Sequence, residues 1–310
     1  MRILVTCPPM LGMIDSFRYL FDERAIKLTT PNVIQTLSVD ELRQLVPKHD
    51  GWIIGDDPAT REVFEAGKKG NLKAAIKWGI GVDNVDFDAC KDLDIPIINT
   101  PDMFGREVSD IAMGYVTALA RETFEIDRSV RKGQWNKPRG ISLSGKTVAL
   151  VGFGDIGRCT AKRLLAADMK VIAYDPFAAK ITNLLKVERE TWPKRIEEAD
   201  FIVITCALTK SSHHMINKNL LKQAKNGVRL VNVGRGPIVD ELALENALRS
   251  GKIYSAALDV FEEEPLPMDS YLRKHPHCIF GSHNASNTSD AVERTSQIAI
   301  EKLFNFLHLN

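Results

Sequence analysis

The sequence has little of what marks membrane proteins, secreted proteins or nucleic-acid-binding proteins. None of its apolar stretches is long enough to span a bilayer, and the first residues, MRILVTC, lack the apolar length of a signal peptide. The 41 basic and 40 acidic residues nearly cancel, so no overall charge favours nucleic acid or an acidic membrane surface. These absences predict a cytoplasmic protein, and a length of 310 residues predicts two domains.

Cysteine is also scarce, and what there is lies scattered. The five cysteines are odd in number and form no CxxC pair, whereas disulfide frameworks and zinc sites need paired or closely spaced cysteines. We therefore expect reduced thiols, no disulfide framework and no metal site. The residues concerned are Cys7, Cys90, Cys159, Cys206 and Cys278.

Short apolar strands alternate with helical segments from the beginning of the chain, which predicts an α/β layout with a parallel sheet. The predicted strands of the first hundred residues are 2–6, 52–54, 72–77 and 96–98. Ser38 is expected to open a helix over 39–45, and Thr60 to cap a helix that runs to residue 68. Residues 108–131 carry apolar side chains at three- and four-residue spacing, which predicts one unusually long helix.

A second series of strands begins at residue 147. A sheet that begins there cannot be the sheet that begins at residue 2, so two α/β units are expected, with the active site in the cleft outside the carboxyl ends of the strands. The last predicted element is an amphipathic helix over residues 290–307. The predicted strands of this second series are 148–151, 170–174, 201–205, 228–232, 255–258 and 278–280.

The most informative segment is the glycine-rich turn after the first of these strands. Residues 152–157 read GFGDIG and are followed by a predicted helix, a second strand and Asp175. Glycines at these positions allow a tight turn, the approach of a pyrophosphate and close helix packing, while the helix N-terminus offers N–H groups to the phosphates. Asp175 stands close to the roughly 20-residue offset expected for the acid that holds an adenosine ribose. The segment predicts a dinucleotide-binding fold.

Three polar side chains follow later strands of the same predicted sheet. Arg235, Glu264 and His283 should open onto the edge that carries the glycine-rich turn. Taken singly, such an arginine is more often part of a structural ion pair, such a histidine is more often structural, and Glu262 and Glu263 are best explained as a solvated turn. Together, a guanidinium can hold a carboxylate, and a histidine paired with a glutamate can act as an acid/base near neutral pH. This set suits hydride transfer at a hydroxyl carbon.

At this point the chain resembles the D-isomer-specific 2-hydroxyacid dehydrogenase family, phosphoglycerate dehydrogenase-like members included, from about residue 51 onward. Besides the glycine-rich turn, the resemblance rests on residues 79–86 (GIGVDNVD), 98–101 (INTP), 232–236 (NVGRG) with 239–241 (VDE), and the series Asp259, Glu264-Pro265 and His283. It implies a flavodoxin-like substrate domain, residues 1–99 and 283–310, with a Rossmann NAD-binding domain, residues 100–282, inserted in it. Both domains are doubly wound parallel sheets, and the protein is expected to be a homodimer built through the NAD-binding domains.

The resemblance also implies roles for single residues. Arg235 would bind the substrate carboxylate together with the backbone N–H groups of Ile80 and Gly81, His283 would be the acid/base, and Glu264 would orient and charge it. Asp259 would hold the nicotinamide carboxamide, and the strand end at residues 205–207 would line the cofactor. The cofactor is NAD, and the residues expected to bind it are Gly152, Gly154, Asp155, Ile156, Gly157, Asp175, Cys206, Val233 and Asp259. Because Asp175 would repel a 2′-phosphate, NAD is expected to be preferred over NADP.

Departures from the family pattern concern the substrate. Members that take phosphorylated acids commonly have arginine in the loop after the second strand, whereas this loop reads GDDP and carries Asp56 and Asp57. Asp102, Thr205 and Ala207 also differ from the usual glycine, histidine and proline. Both aspartates are expected to lie at the mouth of the cleft, which favours an unphosphorylated acid unless Arg139 of a second subunit neutralises them.

A second reading stays open on these residues. Some relatives of this family act in transcription, so the chain could be an NAD(H)-sensing regulatory protein with the same fold and little turnover. A formate dehydrogenase-like activity is disfavoured, because that subgroup pairs its histidine with glutamine where this chain has Glu264.

Overall fold

The computed structural model describes residues 1–178 and 186–309, and the chain divides into two compact units. Unit 1 comprises Met1–Met103 and Asn287–Asn310, and unit 2 comprises Phe104–Ser286. The borders expected from the sequence lie a few residues earlier in both places. One consequence is that His283 belongs to unit 2 and not to the C-terminal segment of unit 1.

The elements alternate along both units. The strands are β1 (Arg2–Val5), β2 (Lys27–Thr29), β3 (Gly51–Ile54), β4 (Ala74–Lys77), β5 (Ile97–Asn99), β6 (Thr147–Val151), β7 (Lys170–Tyr174), β8 (Val187–Arg189), β9 (Phe201–Ile204), β10 (Val228–Asn232), β11 (Ile253–Leu258) and β12 (Cys278–Phe280). The α-helices are α1 (Pro8–Gly12), α2 (Arg18–Asp22), α3 (Val39–Leu45), α4 (Arg61–Lys69), α5 (Phe87–Asp92), α6 (Gly105–Arg121), α7 (Thr123–Arg131), α8 (Asp155–Ala166), α9 (Lys218–Gln223), α10 (Glu241–Arg249) and α11 (Ser289–Phe306). Short 3-10 helices lie at Ile14–Ser16, Val46–Lys48, Ile196–Glu198, Gly236–Ile238 and Tyr271–Lys274.

Unit 1 is built on a parallel sheet with the strand order β2-β1-β3-β4-β5. This is the flavodoxin-like order. From β1 the chain first adds β2 on one side and then β3, β4 and β5 on the other, so the strand order reverses between β1 and β3. The side chains of β3 and β4 are buried on both faces, which explains their nearly continuous apolar sequence. The sequence did not reveal β2, a three-residue edge strand whose side chains are only partly buried.

Unit 2 is built on a parallel sheet with the order β12-β11-β10-β9-β6-β7-β8. Starting the count at β6, this is the Rossmann order with one further strand beyond β11. The fold class predicted from the sequence, two doubly wound parallel sheets with a Rossmann unit, is therefore confirmed. Because all strands of a parallel sheet point the same way, the loops after β6, β9, β10, β11 and β12 emerge at one edge.

The capping of two helices shows where local prediction succeeded and failed. Ser38 forms a capping box at the start of α3, in which its side chain and that of Glu41 each accept a backbone N–H. Thr60 is the N-cap residue of α4, as expected, but its side chain forms no capping hydrogen bond. Its hydroxyl is buried and has no hydrogen-bond partner among the described residues.

The prediction of one long helix over residues 108–131 is wrong, because the structure breaks this helix at Glu122. This residue adopts a left-handed conformation, φ +57°, which ends α6 and lets α7 begin in a new direction. Its buried carboxylate accepts a hydrogen bond from the hydroxyl of Tyr254 and lies 3.5 Å from Nδ1 of His277. These partners come from distant parts of unit 2, so the periodic apolar pattern gave no sign of the break.

Some features are absent from the part of the chain that the structure describes. None of its helices is both long and apolar enough to cross a membrane. Within residues 1–178 and 186–309, no three His, Cys, Asp or Glu side chains are grouped so that they could hold a metal ion. All five cysteines are free thiols.

Asp57 does not lie at the surface as the sequence suggested. Its side chain is fully buried, and its carboxylate accepts hydrogen bonds from the Thr6 hydroxyl, from the N–H of Leu37 at 2.9 Å and from the N–H of Gly55 at 3.3 Å. Burial raises the pKa of Asp57, and the three donors act against that rise. The residue therefore ties the ends of β1 and β3 to the loop before α3.

We predict that Asp57→Ala destabilises unit 1 strongly. Removal of the carboxylate leaves the buried N–H groups of Leu37 and Gly55 unpaired, and leaves the Thr6 hydroxyl with only the carbonyl oxygen of Ile53 at 3.4 Å. We expect a loss of about 3 kcal/mol in the free energy of unfolding, measured by urea denaturation. Asp88→Ala is the matched control, since Asp88 is exposed and has no hydrogen bond or ion pair among the described residues. Equal urea midpoints for the two variants would contradict the assignment.

Candidate active site

The glycine-rich turn between β6 and α8 is shaped by two close backbone contacts. Gly152 has φ +95°, and a Cβ atom there would lie 2.6 Å from the backbone N of Cys206. A Cβ atom on Gly157 would lie 2.3 Å from the carbonyl oxygen of Gly152. Only glycine fits either position, so the loop after β9 packs directly on the turn and α8 packs directly on β6.

The middle glycine of the turn faces open space. A Cβ atom on Gly154 would meet nothing within 4 Å. Directly after it begins α8, a helix of twelve residues whose first two are Asp155 and Ile156. The N–H groups of its first turn point toward this space. A helix N-terminus beside an open, side-chain-free surface is suited to bind the pyrophosphate of a dinucleotide.

Asp175 is fixed at the end of β7 by three backbone donors. Its Oδ2 accepts the N–H of Phe153 at 2.7 Å, within the glycine-rich turn, and its Oδ1 accepts those of Phe177 at 2.8 Å and Ala178 at 3.0 Å. The carboxylate is only partly buried. It is therefore held beside the turn, where a ribose hydroxyl could reach it.

An arginine that the sequence analysis overlooked lies next to Asp175. Arg189, on β8, donates from Nη2 to the carbonyl oxygen of Asp175 at 3.0 Å. It comes fourteen residues after Asp175, so a search of the residues directly following the acid does not find it. The preference for NAD over NADP stays a prediction.

Arg235, Glu264 and His283 follow the neighbouring strands β10, β11 and β12. Of the three, the structure brings the last two together, with Nδ1 of His283 at 2.8 Å from Oε2 of Glu264. The other oxygen of Glu264, Oε1, accepts the N–H of Phe261 at 3.0 Å. Both oxygens of this partly buried carboxylate are thus engaged, one by its own turn and one by the imidazole.

His283 is held in an unusual backbone conformation. It has φ +56°, which residues other than glycine seldom adopt, and its N–H donates to the carbonyl oxygen of Asp259 at 2.7 Å. The buried Asp259 carboxylate accepts the next two N–H groups, of Asn284 at 3.2 Å and of Ala285 at 2.9 Å. Burial raises the pKa of Asp259, and these two N–H groups act against the rise. Strained backbone of this kind is found preferentially at functional sites.

Asp259 was expected to hold the nicotinamide carboxamide, and that role stays a prediction. What the structure adds is a second task that the sequence did not suggest, the support of the loop that carries His283.

Arg235 lies in a loop that is locked by Asn232. The Asn232 side chain accepts the N–H of Gly234 at 3.0 Å and donates to the carbonyl oxygen of Arg235 at 2.9 Å. The partly buried guanidinium donates from Nη1 to the carbonyl oxygen of Gly234 at 3.0 Å. Val233, in the same loop, is buried, and a Cβ atom on Gly234 would come within 2.8 Å of the Cys206 carbonyl oxygen. Cys206 and Val233, both expected to line the cofactor, thus belong to adjoining loops.

Comparison with known proteins gives a consistent result. Residues 113–285 match the family model described as "D-isomer specific 2-hydroxyacid dehydrogenase, NAD binding domain". A hydroxypyruvate reductase of Thermotoga maritima is 37% identical over 299 residues, which are 94% of this chain and 95% of that protein. The chain belongs to the D-isomer specific 2-hydroxyacid dehydrogenase family.

Two further relatives differ in how much of their length is matched. A D-3-phosphoglycerate dehydrogenase of Archaeoglobus fulgidus is 35% identical over 98% of this chain, but the match spans only 57% of that longer protein. The crystal structure of the TT0316 protein from Thermus thermophilus superposes with a TM-score of 0.87 at 30% identity, over 99% of this chain and 97% of that one.

Membership of the 2-hydroxyacid dehydrogenase family establishes the general activity. The protein is an NAD-dependent oxidoreductase that acts on 2-hydroxy or 2-keto acids, and its cofactor is NAD. The glycine-rich turn, the open space at Gly154 and the fixed carboxylate of Asp175 fit that cofactor.

Two residues that the 2-hydroxyacid dehydrogenase resemblance assigns to the substrate, Ile80 and Gly81, lie in unit 1. They follow β4 in a loop held by hydrogen bonds between Gly79 and Thr100 and by the Asn99 side chain, which donates to the Ile80 carbonyl at 3.2 Å. Neither the Ile80 nor the Gly81 N–H donates a hydrogen bond within the described part of the chain. Their role in binding a carboxylate stays a prediction.

We predict that Gly154→Ala weakens NADH binding without weakening the fold. The added methyl group enters open space in the free protein, so the melting temperature should stay unchanged, but it occupies the surface that a pyrophosphate would approach. We expect NADH affinity, measured by fluorescence titration, to fall roughly tenfold or more. Gly157→Ala is the contrasting variant, because its methyl group would collide with the carbonyl group of Gly152 and should lower the melting temperature. Unchanged NADH affinity of Gly154→Ala would show that the pyrophosphate binds elsewhere.

Proposed function

We propose that the protein interconverts a D-2-hydroxy acid and its 2-keto acid, with His283 as the acid/base, Glu264 as the residue that orients and charges it, and Arg235 as the ligand of the substrate carboxylate. The observation that carries this proposal is the 2.8 Å contact between Nδ1 of His283 and Oε2 of Glu264. It lies at the sheet edge where the glycine-rich turn also emerges.

The His283–Glu264 contact supports separate roles for the two ring nitrogens. Because Nδ1 contacts Glu264, the proposal assigns proton exchange with the substrate to Nε2. During reduction the imidazolium donates its Nε2 proton to the keto oxygen, and in the oxidation the neutral imidazole removes the proton from the hydroxyl group. The hydride for the carbonyl carbon is supplied by NADH when it is bound, so that keto acid, NADH and one proton give hydroxy acid and NAD⁺.

Arg235 serves the other end of the reacting group. A guanidinium binds a carboxylate through two parallel hydrogen bonds, which fixes the plane of a 2-keto acid as well as its position. The family resemblance assigns the N–H groups of Ile80 and Gly81 to the same carboxylate, and the proposal keeps that assignment. This part of the proposal accounts for a substrate whose carboxylate is adjacent to the reacting carbon.

We predict distinct kinetic effects for the three side chains. His283→Ala should lower kcat by roughly a hundredfold or more, the usual contribution of an acid/base, while NADH affinity changes little. Glu264→Gln removes the negative charge that stabilises the imidazolium, so the pH above which keto-acid reduction slows should move to lower pH. Arg235→Ala should raise KM for the keto acid most. Steady-state kinetics with NADH provide the measurement, and near-normal turnover of His283→Ala would refute the proposed mechanism.

For the substrate we propose a short, unphosphorylated 2-keto acid with a hydroxyl group beyond the carbonyl, such as hydroxypyruvate. Asp56 is the partly exposed acid of the loop after β3, and its Oδ1 lies 3.2 Å from Nζ of the almost fully buried Lys77. Lys77 also donates to the carbonyl of Trp78, so this cation is already used within unit 1. A carboxylate held in this way accepts hydrogen bonds from a hydroxyl group and repels a phosphate.

The relatives support the same choice. The hydroxypyruvate reductase matches over nearly its whole length, whereas the phosphoglycerate dehydrogenase has a large part that this chain does not match.

Kinetics with three keto acids would test the substrate. We expect kcat/KM to be higher for hydroxypyruvate than for 3-phosphohydroxypyruvate, with glyoxylate as the comparison that lacks the hydroxymethyl group. A clear preference for the phosphorylated acid would overturn the proposed role of Asp56 and leave the hydride chemistry standing. Absence of turnover with every 2-keto acid, despite NADH binding, would favour the NAD(H)-sensing alternative.

The proposal also includes a homodimer formed through unit 2 and a cytoplasmic location. The exposed aromatic side chains of unit 2 include Phe124 at 47% and Trp135 at 78%, and exposed apolar surface of this kind is suited to contact a second copy. The free, scattered thiols are consistent with a reducing compartment. Sedimentation velocity of the purified protein would test the dimer.

A further inference from the structure

The turn that carries Glu264 is stabilised by Glu264 itself, which accepts the Phe261 N–H, and also by residues outside the turn. It comprises Phe261, Glu262, Glu263 and Glu264 and begins three residues after the end of β11. The sequence suggested that Glu262 belongs to a solvated turn, but Glu262 is bound twice. Its N–H donates to Oε1 of Glu241 at 2.7 Å, and its Oε1 lies 2.5 Å from Nε2 of His214.

Glu241 is itself anchored to a rigid part of unit 2. It is the first residue of α10, whose N-terminus is capped by the Asp240 side chain, which accepts the N–H of Ala243 at 2.9 Å. The backbone of Asp240 donates to the carbonyl of Ile216, the residue that pairs with Val239 in an isolated bridge. A helix end that is capped and bridged in this way is a fixed point from which to hold a turn.

The same segment packs against the turn through its backbone. A Cβ atom on Gly236 would lie 1.8 Å from the carbonyl oxygen of Phe261 and 2.5 Å from the N of Glu262. The Glu262 amide therefore lies between Gly236 and the Glu241 carboxylate. Displacement of this amide would move the turn and, with it, the carboxylate that meets His283.

The charged groups around the turn come from several elements. Glu262 and Glu264 lie on the turn, Glu241 and Glu245 on α10, and His214 in the segment before α9. Asp259, at the end of β11, is close enough to His283 and Glu264 for both charges to affect its pKa. Burial raises the pKa of Glu241, and the negative charges of Glu262, Glu245 and Glu264 raise it further. A partly buried carboxyl group is kept here in spite of this cost, beside the Glu262 N–H.

We propose that Glu241 is a positioning residue for the reaction: by accepting the Glu262 N–H it holds the turn, so that Glu264 stays within hydrogen-bonding distance of His283. Glu241 acts through the turn and touches neither reactant. The inference rests on the proposed function, because it gives the His283–Glu264 pair its catalytic importance.

Three substitutions at Glu241 separate the hydrogen bond from the charge. Glu241→Ala removes both, Glu241→Asp keeps the charge but shortens the reach by one methylene group, and Glu241→Gln keeps an acceptor of the same length without the charge. Glu245→Ala is the matched control, because Glu245 lies one helical turn further along α10, where it contributes negative charge but no hydrogen bond to the turn within the described residues.

The pH dependence of keto-acid reduction is the readout that a merely structural role would not move. A loosened Glu264 stabilises the imidazolium less, so the pH at which the rate falls should move to lower pH. For Glu241→Ala and Glu241→Asp we expect a shift of about half a pH unit or more and a loss of roughly tenfold in kcat. Glu241→Gln and Glu245→Ala should stay close to the wild-type profile. Melting temperature and NADH affinity should be measured for every variant, and Glu241→Asp carries the test if Glu241→Ala does not fold.

A second readout does not require turnover. The titration of the His283 imidazole can be followed by NMR in the full-length protein, with His283→Gln to assign the signal. Its midpoint should fall in Glu241→Ala and Glu241→Asp and stay unchanged in Glu241→Gln and Glu245→Ala. If the wild-type protein reduces no 2-keto acid, the proposed function fails, while this titration still tests the inference.

The inference is overturned by any of three results. The first is a wild-type kcat and midpoint in both Glu241→Ala and Glu241→Asp, which would show that the turn needs no such support. The second is an impairment of Glu241→Gln as large as that of Glu241→Ala, which would make the charge and not the hydrogen bond decisive. The third is an equal shift of the midpoint in Glu245→Ala, which would reveal a general effect of negative charge on α10.

Discussion

The contact between the Gly236 backbone and the Phe261 carbonyl joins the two loops that carry most of the proposed chemistry. A side chain on Gly236 would collide with this carbonyl, so the loop after β10 and the turn after β11 meet backbone to backbone. Arg235 precedes the contact by one residue, and Glu264 follows it by three. The spacing between a carboxylate ligand and the partner of the acid/base is therefore set by main-chain packing, which is stiffer than any contact between long side chains.

His283 is joined to this framework by a different device. Asp259, the residue after β11, accepts two consecutive N–H groups beyond His283 and receives the His283 N–H at its carbonyl oxygen. The loop after β12 is thus bound to the end of the adjacent strand, with His283 held at φ +56° between them. Strain at this residue is maintained by surrounding hydrogen bonds, as expected where a side chain must be aimed and not merely packed.

The sequence predicted what depends on local pattern and on the rules of parallel sheets. The glycine-rich turn, the strand ends and the edge at which Glu264 and His283 meet all follow from short motifs and from strand direction. The break at Glu122, the burial of Asp57 and the support from Glu241 depend on partners that are remote in sequence: Tyr254, Thr6 and Glu262. Local sequence patterns placed these three acids in a helix, at the surface and in a family motif without a role of its own, because a carboxylate is usually exposed unless a specific donor awaits it.

The central claim is that the glycine-rich turn, Arg235 and the His283–Glu264 pair serve one reaction. The most direct test is a crystal structure of the protein with NAD⁺ and oxamate, an unreactive analogue of a 2-keto acid. The account predicts the pyrophosphate over Gly154, the oxamate carboxylate on the Arg235 guanidinium, and Nε2 of His283 within hydrogen-bonding distance of the oxygen that represents the keto group. An analogue bound away from Arg235, or a His283 ring turned so that Nδ1 no longer meets Glu264, would contradict it.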